Sequence, residues 1–329
     1  MNADKLKEIK TVAVVGAGGM GEGIALTFAQ AGLLVRVVTR SNETMVKCLA
    51  QIDDSLKLFH ELGVIQEEPA AIRSRIQPYF MADLKNAVRD CDYVVESVPE
   101  VLDAKRELFA QLDNICDSSV IISSNTSSFP INVLVEKMKT PERVIGTHFF
   151  MPAHIIPLVE IHWGDKTDKK VIEITQELMK KVGKTPILVL KPVVGFVVNR
   201  IQNAITREAQ YLIEQGVVTV EDFDRAAKAS YGFRLANLGP MAQLDINGLD
   251  VVFRGNTRIY KDLCNVTELA PSFAAMVARG DLGLKTGKGY YDYSGQPKSK
   301  VQENIERNLL KQLVLYKERE NPSNNSNPL

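Results

Sequence analysis

The sequence predicts an α/β protein in which a doubly wound parallel sheet is followed by a mostly α-helical second domain. Two observations support this prediction. Apolar, β-branched runs of strand length alternate with helical segments from Thr11 to Lys191, an order typical of parallel strands joined by right-handed crossovers. After Val193 the strand pattern stops, and the remaining segments have helical spacing with glycine or turn residues between them.

Each element of the first domain has its own signal. Thr11–Val15 is apolar and β-branched, as in a strand buried on both faces of a parallel sheet, and the helix that follows from Gly19 to Ala31 ends at Gly32. Further strands are predicted at "LLVRVV", "CDYVVESVPE", "SSVIISSNT", "RVIGTHFF", "PLVEIHW" and "PILVL". Further helices are predicted at Asn42–Leu62, Pro69–Arg75, "VLDAKRELFAQLDNIC" and Lys169–Val182, and we expect the first two of these to form an outlying helical hairpin.

These patterns also predict the domain organisation. We assign residues 1–191 to the sheet domain and residues 192–295 to the helical domain. Residues 296–329 read as one extra amphipathic helix and then a polar tail rich in Asn, Ser and Pro, which we expect to be disordered.

Composition excludes several classes of function. Of the 329 residues, 45% are hydrophobic and 24% charged, and 40 basic side chains balance 40 acidic ones, so no global field favours nucleic acid or an anionic membrane. No apolar run approaches the ~18 residues that a membrane helix needs. The four cysteines lie far apart without a CxxC pair, which favours reduced thiols over a disulfide framework. We therefore expect a cytoplasmic protein that binds a small molecule, without a metal and without nucleic-acid or membrane partners.

The glycine cluster between the first strand and the first helix has the spacing GxGxxG. In this context the first glycine permits a tight turn, the second lets the backbone approach a pyrophosphate, and the third lets the helix pack on the sheet, as in Rossmann-type domains. The helix N-terminus adds donors and partial positive charge for the phosphates. The alternative is a glycine turn that serves packing alone. We expect residues 1–191 to bind NAD(H) or NADP(H) through Gly16, Gly18, Gly19, Met20 and Gly21.

The residues after the second strand, "VVTRSNE", bear on which dinucleotide is bound. An acidic side chain there accepts the ribose hydroxyls of NAD, but this chain has Thr39, followed by Arg40 and Ser41. A guanidinium and a hydroxyl can bind a 2′-phosphate. We therefore expect NADP(H) to be favoured over NAD(H). The alternative is that Arg40 is an ordinary solvated arginine.

Two later segments, "GTHFF" and "PLVEIH", predict acid/base chemistry. His148 and Glu160 lie twelve residues apart on two adjacent predicted strands, and they meet if the "MPAHI" turn folds the chain back. The carboxylate then fixes the imidazole tautomer while the histidine moves a proton to or from a substrate hydroxyl. The alternative is a core histidine bonded to backbone. For His60, His154 and His162 we expect no role in the chemistry.

In combination, the quoted motifs resemble the 3-hydroxyacyl-CoA dehydrogenase family. The motifs that carry this resemblance are the glycine fingerprint, "DYVVESVPE", "ISSNTSSFPI", "GTHFFMPAHIIPLVEIHW", "GFVVNRI", "LGPMAQLDINGLD" and "LGLKTGKGYYDY", in this order. The resemblance extends from Lys10 to Tyr293. It implies an oxidoreductase of fatty acid metabolism that interconverts an L-3-hydroxyacyl-CoA thioester and its 3-oxo form with a nicotinamide cofactor. It also implies a homodimer.

The resemblance implies roles for further residues. Ser127, the first serine after "NT", and Asn199 of "GFVVNR" would donate hydrogen bonds to the substrate oxygen, where negative charge develops as a ketone is reduced. Taken alone, Ser127 would be a helix cap and Asn199 a polar helix residue. The resemblance also implies that Ser127 contacts the cofactor. It implies that Glu100 and Lys105 lie near the ribose and nicotinamide end of the cofactor, and that Lys285 of "LKTGKG" lies near the cofactor too.

Other features depart from the common pattern of the family. Met151 stands where an asparagine usually follows "HFF", which removes a polar contact beside the nicotinamide. Pro99, the "PLVEI" context and the long charged C-terminal helix resemble the branch with λ-crystallin/L-gulonate dehydrogenase and carnitine dehydrogenase, whereas "HFF" and "KTGKGYY" resemble the short-chain hydroxyacyl-CoA enzymes. The helix with which the family binds the CoA nucleotide offers only Lys47 and Lys57.

Three alternatives to a CoA-thioester enzyme follow. The first is a dehydrogenase of a free 3-hydroxy acid of the L-gulonate or carnitine type. The second is a non-catalytic dinucleotide-binding protein of λ-crystallin type, which the presence of the acid/base pair disfavours. The third is a 3-hydroxyisobutyrate or 6-phosphogluconate type dehydrogenase, which would use a catalytic lysine on a helix instead of a His–Glu pair.

The helical domain predicts self-association. Its segments "GFVVNRIQNAITREAQYLI" and "GLDVVF" have more apolar length than one compact layer readily buries. We expect a homodimer through this domain, with the substrate cleft between the two domains.

Overall fold

The computed structural model describes residues 9–320, and the chain divides into two compact units. The first unit runs to Val197 and also includes residues 307–313. The second unit begins at Val198 and contains the rest of the described chain. The end of the tail that we expected to be disordered, residues 321–329, lies outside the described residues.

The first unit is built on one eight-stranded sheet. Its strands are β1 Thr11–Val15, β2 Leu34–Thr39, β3 Ile76–Phe80, β4 Tyr93–Glu96, β5 Ile121–Ser124, β6 Val144–Phe149, β7 Leu158–His162 and β8 Thr185–Leu188. The strand order is β3-β2-β1-β4-β5-β6-β7-β8. Neighbouring strands are parallel, except that β6 and β7 are antiparallel. The predicted doubly wound sheet is thus confirmed, with one antiparallel pair inserted.

Helices cover both faces of this sheet. They are α1 Gly19–Gln30, α2 Asn42–Glu61, α3 Pro69–Ser74, α4 Leu84–Val88, α5 Leu102–Ile115, α6 Ile131–Leu134 and α7 Lys169–Lys181. Alternate residues of β1 enter different cores, since Val12 and Val14 pack in one hydrophobic cluster and Ala13 and Val15 in another. Successive strand side chains point to opposite faces. A fully apolar strand is therefore what a sheet covered on both sides requires.

The predicted outlying position of the helical hairpin is wrong. Met45, Cys48, Ile52 and Leu56 of α2 are buried and belong to the same hydrophobic cluster as the β1 residues Val12 and Val14. These four positions follow helical spacing, so α2 turns one continuous apolar face toward the core. The helix is a covering layer of the sheet.

The sequence analysis did not predict strand β3. It pairs with β2 at one edge of the sheet, and most of its side chains are exposed. Pro78 lies inside this strand, and the strand at the opposite edge, β8, contains Pro186. Because proline has no N–H to donate to a neighbouring strand, it is tolerated at a sheet edge and counts against a central strand.

The second unit is helical, as predicted. Its helices are α8 Val198–Glu214, α9 Val220–Ala229, α10 Tyr231–Leu235, α11 Pro240–Asn247, α12 Leu249–Ile259 and α13 Pro271–Arg279, followed by α14 Lys298–Glu320. Between Val198 and Glu306 the buried apolar residues are Ala209 and Cys264, which are 9% and 7% exposed. Large apolar side chains of α11 and α12 are exposed, among them Met241, Leu249 and Phe253. This unit carries much apolar surface outside its own core.

The middle of α14 lies in the first unit, whereas its two ends lie in the second. Leu310 and Leu313 are buried there, and the Arg307 guanidinium binds both carboxylate oxygens of Glu61, at 3.0 and 2.9 Å. This assigns residues 307–313 to the sheet unit.

Within residues 9–320, no helix combines the length and apolar character needed to cross a membrane. The same residues contain no group of three or more His, Cys, Asp and Glu side chains placed to hold a metal ion.

Candidate active site

The glycine turn between β1 and α1 is tight because two of its glycines have no room for a side chain. Gly16 has φ +115°, and a Cβ on it would lie 2.2 Å from the carbonyl oxygen of Ser97. A Cβ on Gly21 would lie 1.8 Å from the carbonyl oxygen of Gly16. Gly18 is different, because a Cβ there would meet nothing within 4 Å. Packing therefore explains the first and third glycines of the motif but not the second.

Gly18 is also the N-cap of α1, and no side chain caps this helix. The first N–H groups of a helix have no partner within it, and here they lie next to the open space at Gly18. Gly19 begins the helix and lies 3.4 Å, measured from an added Cβ, from the Cε of the exposed Met151. Met20 packs with its side chain against the core, so only its backbone faces the turn. The arrangement leaves backbone donors available to an anion.

The last residue of β2 and the two residues that follow it have different environments. Thr39 is buried, with 6% of its surface exposed, whereas Arg40 is exposed. Ser41 is the N-cap of α2, and its Oγ accepts a hydrogen bond of 3.2 Å from the Thr44 N–H. Arg40 thus directly precedes the N-cap of a 20-residue helix.

A buried charge network lies at the end of β4. The Lys105 ammonium is 2.6 Å from Oε1 of Glu96 and 3.0 Å from Oε2 of Glu100. Glu96 and Lys105 are fully buried, while the Glu100 side chain is about one third exposed, at 34%. Burial raises the pKa of Glu96. Burial also acts to raise the pKa of Glu100, but hydrogen bonds, from Thr126 first, and the Lys105 charge lower it below its ordinary value.

Glu100 organises the loop that carries Ser127. Its Oε1 accepts hydrogen bonds from the Thr126 hydroxyl, from the Ser127 N–H at 3.1 Å and from the Ser128 hydroxyl at 2.9 Å. Ser127 itself is half-buried and does not cap a helix, because α6 begins after Pro130 with no side-chain cap. Lys105 pairs with Glu100, the residue that holds this loop. The expected place of Lys105 near the cofactor stays a prediction. Sequence analysis missed Glu96, although a carboxylate within a buried apolar strand is a recognisable signal.

His148 and Glu160 meet as predicted by their spacing. They are directly paired in the antiparallel register of β6 and β7, and Nδ1 of His148 is 2.8 Å from Oε2 of Glu160. His148 is 6% exposed and Glu160 is fully buried. The other carboxylate oxygen of Glu160 accepts a 2.9 Å hydrogen bond from the N–H of Val197. A charged carboxylate only accepts hydrogen bonds, so a neutral imidazole in this pair would donate from Nδ1 and keep the lone pair on Nε2.

The side chain of Lys184 holds the turn between β6 and β7. The Lys184 ammonium donates hydrogen bonds to the carbonyl oxygens of Ala153 and Ile156, at 2.5 and 2.8 Å. His154 of this turn is buried against the Phe59 ring, with centroids 5.6 Å apart. Burial, with a smaller effect of the Lys184 charge, lowers the pKa of His154 to about 4. That His154 has no role in the chemistry stays a prediction.

Aromatic rings surround His148. Its centroid lies 4.5 Å from that of Phe150 and 5.6 Å from that of Phe196. Phe196 also contacts His162, at 4.2 Å between centroids. Burial, with a smaller effect of His148, lowers the pKa of His162 to about 4, so His162 is neutral beside the dyad. Sequence analysis missed Phe196, because "GFVVNR" reads as the start of a helix.

The remaining predicted residues belong to the second unit or lie on α2. Asn199 is half-buried in the first turn of α8, and Lys285 is exposed. His60 is exposed on α2, as expected. The cations Lys47 and Lys57 of that helix each pair with an acid of the same helix, Glu43 at 2.6 Å and Asp54 at 3.5 Å.

Comparisons with known proteins agree with these features. Residues 11–193 match the 3-hydroxyacyl-CoA dehydrogenase NAD-binding domain, and residues 195–293 match the C-terminal domain of the same family. The 3-hydroxybutyryl-CoA dehydrogenase of Clostridioides difficile is 36% identical over 86% of this chain and 99% of its own length. The 5-formyl-3-hydroxy-2-methylpyridine 4-carboxylate 5-dehydrogenase of Mesorhizobium japonicum is 32% identical over 92% of this chain and 96% of its own length.

Solved structures give the same result. A crystal structure of a 5-formyl-3-hydroxy-2-methylpyridine 4-carboxylic acid 5-dehydrogenase, described as an NAD⁺-dependent dismutase, has a TM-score of 0.87 at 30% identity and covers 95% of this chain and 100% of its own. The (S)-3-hydroxybutyryl-CoA dehydrogenase of Ralstonia eutropha has a TM-score of 0.70 at 35% identity and covers 87% and 99%. The chain therefore belongs to the 3-hydroxyacyl-CoA dehydrogenase family of NAD-binding oxidoreductases.

Proposed function

We propose that the chain interconverts an L-3-hydroxyacyl compound and its 3-oxo form, with the His148–Glu160 dyad as the acid/base. The observation that carries this proposal is the 2.8 Å contact between Nδ1 of His148 and Oε2 of Glu160. Glu160 is fully buried, so its carboxylate is screened from water and holds the imidazole in one orientation. The free Nε2 is then available to a substrate hydroxyl.

The chemistry follows from these positions. In the oxidising direction, Nε2 of His148 takes the hydroxyl proton while the hydrogen on the same carbon leaves with its electron pair. A nicotinamide cofactor held at the glycine turn would supply the acceptor for that hydride. Glu160 stabilises the imidazolium that forms. In the reducing direction His148 returns the proton, and Ser127 and Asn199 donate hydrogen bonds to the oxygen on which charge develops.

The glycine turn fits a dinucleotide. Gly18 leaves open space beside the uncapped N-terminus of α1, which suits a pyrophosphate. At the adenosine end, the exposed Arg40 stands beside the N-terminus of α2, where a 2′-phosphate would find both a guanidinium and a helix dipole. Thr39 has no charge to repel that phosphate. We therefore propose that NADP(H) is favoured over NAD(H), although the structural relative is described as NAD⁺-dependent.

The carrier of the acyl group has two candidates. A CoA thioester is the substrate that the family and the C. difficile relative indicate, and it would place the protein in fatty acid metabolism. A free acid is favoured because α2 offers only two lysines, Lys47 and Lys57, to a CoA nucleotide. The M. japonicum relative, named for a pyridine carboxylate, supports this second candidate.

One kinetic comparison separates these candidates. Acetoacetyl-CoA, free 3-oxo acids and 3-dehydrocarnitine are each reduced with NADH and with NADPH, and the absorbance of the reduced nicotinamide is followed. The first candidate predicts the highest kcat/KM for acetoacetyl-CoA, and the second predicts it for a free acid. In both cases His148→Gln removes a factor of about 10² to 10⁴ in turnover. Absence of turnover with every compound would favour a non-catalytic dinucleotide-binding protein.

We also propose that the chain acts as a homodimer through residues 192–295. The support is the apolar surface of the helical unit, because a patch of this kind on a water-soluble domain is typical of a protein interface. The exposed apolar residues that contribute are Met241, Ile246, Leu249, Val251, Phe253 and Ile259. Sedimentation that gives a monomer at every concentration would exclude the dimer.

The four unbridged, buried cysteines support a reducing compartment, which we take to be the cytoplasm.

A further inference from the structure

The last three residues of the first unit, Gly195–Val197, have an unusual backbone. Gly195 has φ +76° and Phe196 has φ +44°, and Phe196 is the one non-glycine with positive φ in residues 9–320. Side chains with a Cβ avoid this conformation, so it persists only where neighbouring contacts fix it. The Phe196 side chain is 1% exposed, whereas Val194 is 78% exposed. The residue with the strained backbone is thus the one whose side chain is buried.

The anchor is a site formed by Gly146 and His162. These two residues are register partners on β6 and β7, two positions along each strand from the dyad pair and therefore on the same face of the sheet. A Cβ on Gly146 would lie 2.0 Å from Nε2 of His162, so the absence of a side chain there makes room for the His162 ring. The Phe196 ring then lies against His162, with centroids 4.2 Å apart and planes inclined by 31°.

From this position the segment contacts both members of the dyad. The Phe196 ring lies 5.6 Å from the His148 ring, and the Val197 N–H donates to the Glu160 oxygen that His148 does not use, at 2.9 Å. With one oxygen held by Val197 and the other by His148, Glu160 has no freedom to rotate its carboxylate.

We propose that Phe196, together with the Val197 N–H, is a positioning residue that keeps His148 in the single tautomer with its proton on Nδ1. Phe196 acts through Glu160 and His148 and does not itself move a proton. The effect of Phe196 on catalysis rests on the proposed function. The fixed tautomer, however, is a property of the protein without substrate, so it can be measured independently of any turnover.

The test compares Phe196→Leu with Phe59→Leu. Phe59 is the matched control, because it is 2% exposed, lies in the same unit and contacts a different buried histidine, His154, at 5.6 Å between centroids. Both variants are labelled with ¹⁵N-histidine, and the ring nitrogen shifts report the tautomer of each neutral imidazole. The chain has four histidines, and the signals lost in His148→Gln identify His148.

We expect the unmodified protein and Phe59→Leu to show His148 as one tautomer protonated on Nδ1. Phe196→Leu should show a mixture of both tautomers, a kcat lower by about tenfold or more and a cofactor KM within about twofold of normal. A single Nδ1–H tautomer in Phe196→Leu would overturn the proposal. If that variant does not fold, Phe196→Met, which keeps the volume and removes the ring, is held to the same criterion.

Failure of the proposed function gives a different result. If His148→Gln kept near-normal turnover, the dyad would not be the acid/base. The tautomer comparison between Phe196→Leu and Phe59→Leu would still decide whether Phe196 positions His148.

Discussion

The ammonium of Lys105 lies 2.6 Å from the carboxylate of Glu96, and both side chains are almost completely buried. Glu96 also accepts hydrogen bonds from the Ser124 hydroxyl at 2.6 Å and from the Val98 N–H at 2.8 Å. These contacts join the ends of β4 and β5, where the loop with Ser127 begins. The Glu96–Lys105 pair therefore helps to hold the loop of the candidate site in place.

The first prediction is that Lys105→Met destabilises the protein by about 3–5 kcal/mol, because it removes the opposite charge that is paired with the buried Glu96. The double variant Lys105→Met/Glu96→Gln should recover part of that loss. The free energy of unfolding is measured by denaturant titration. Lys180→Met is the control, because Lys180 forms a 2.7 Å pair with Glu177 that is about half exposed, and its loss costs about 0–1 kcal/mol. Equal losses in Lys105→Met and Lys180→Met would contradict the role of burial.

The second prediction concerns acid stability. His154 and His162 have pKa values lowered to about 4 in the folded protein by burial, against 6.5 for an ordinary histidine. Between these values the unfolded chain binds protons that the folded chain does not, so stability is complete above pH 6.5 and is lost as the pH falls toward 4. Each histidine should contribute about 3 kcal/mol to this loss.

Variants separate the contributions of the two histidines. His154→Leu and His162→Leu should each reduce the dependence of the free energy of unfolding on pH in this range. His60→Gln, at an exposed position, should leave it unchanged. A pH profile that is unaffected by either buried-site variant would show that other groups cause the loss.

The third prediction concerns the choice of cofactor. Arg40→Ala should weaken NADPH binding and leave NADH binding nearly unchanged, because a charge-assisted contact to a 2′-phosphate is worth about 1.5–3 kcal/mol, roughly a factor of ten to a hundred. Thr39→Asp should reverse the preference by repelling that phosphate. Dissociation constants from the fluorescence of the reduced cofactors measure both effects. Higher catalytic efficiency with NADH in the unmodified protein would refute the preference.

The fourth prediction tests the glycine turn. Gly18→Ala should weaken binding of either cofactor by about tenfold or more, because the added methyl group occupies the space reserved for the pyrophosphate. Its free energy of unfolding should change by less than about 1 kcal/mol, since a Cβ there meets nothing within 4 Å. Gly239→Ala is a matched control, because Gly239 is also an uncapped helix N-cap with open space around it. Unchanged cofactor affinity in Gly18→Ala would contradict the proposal that the pyrophosphate binds at this turn.

The sequence predicted those features that depend on local pattern. The buried strands, the tight glycine turn and the meeting of His148 with Glu160 all follow from periodicity and from the short distance along the chain between two strands. Strand β3 was missed because Pro78 and exposed side chains resemble a loop. The buried position of α2 was missed because its many charged residues obscured a narrow apolar face.

Other features could not be predicted because they depend on contacts between distant segments. The burial of Lys105 requires Glu96 and Glu100 to converge on one ammonium, and sequence spacing alone does not define that geometry. Likewise, the positive φ of Phe196 is imposed by its contact with His162 on a strand more than thirty residues away. Nothing in "GFVV" indicates a left-handed backbone at phenylalanine.

The prolines at the two ends of the sheet limit how the protein can aggregate. An uncovered edge strand is a template for a strand from another molecule, and such templating is the first step toward fibrils and domain-swapped polymers. Pro78 in β3 and Pro186 in β8 each remove a donor from the outermost strand. The sheet therefore resists growth in both directions. A destabilised variant of this protein should precipitate through its helical unit and not by sheet extension.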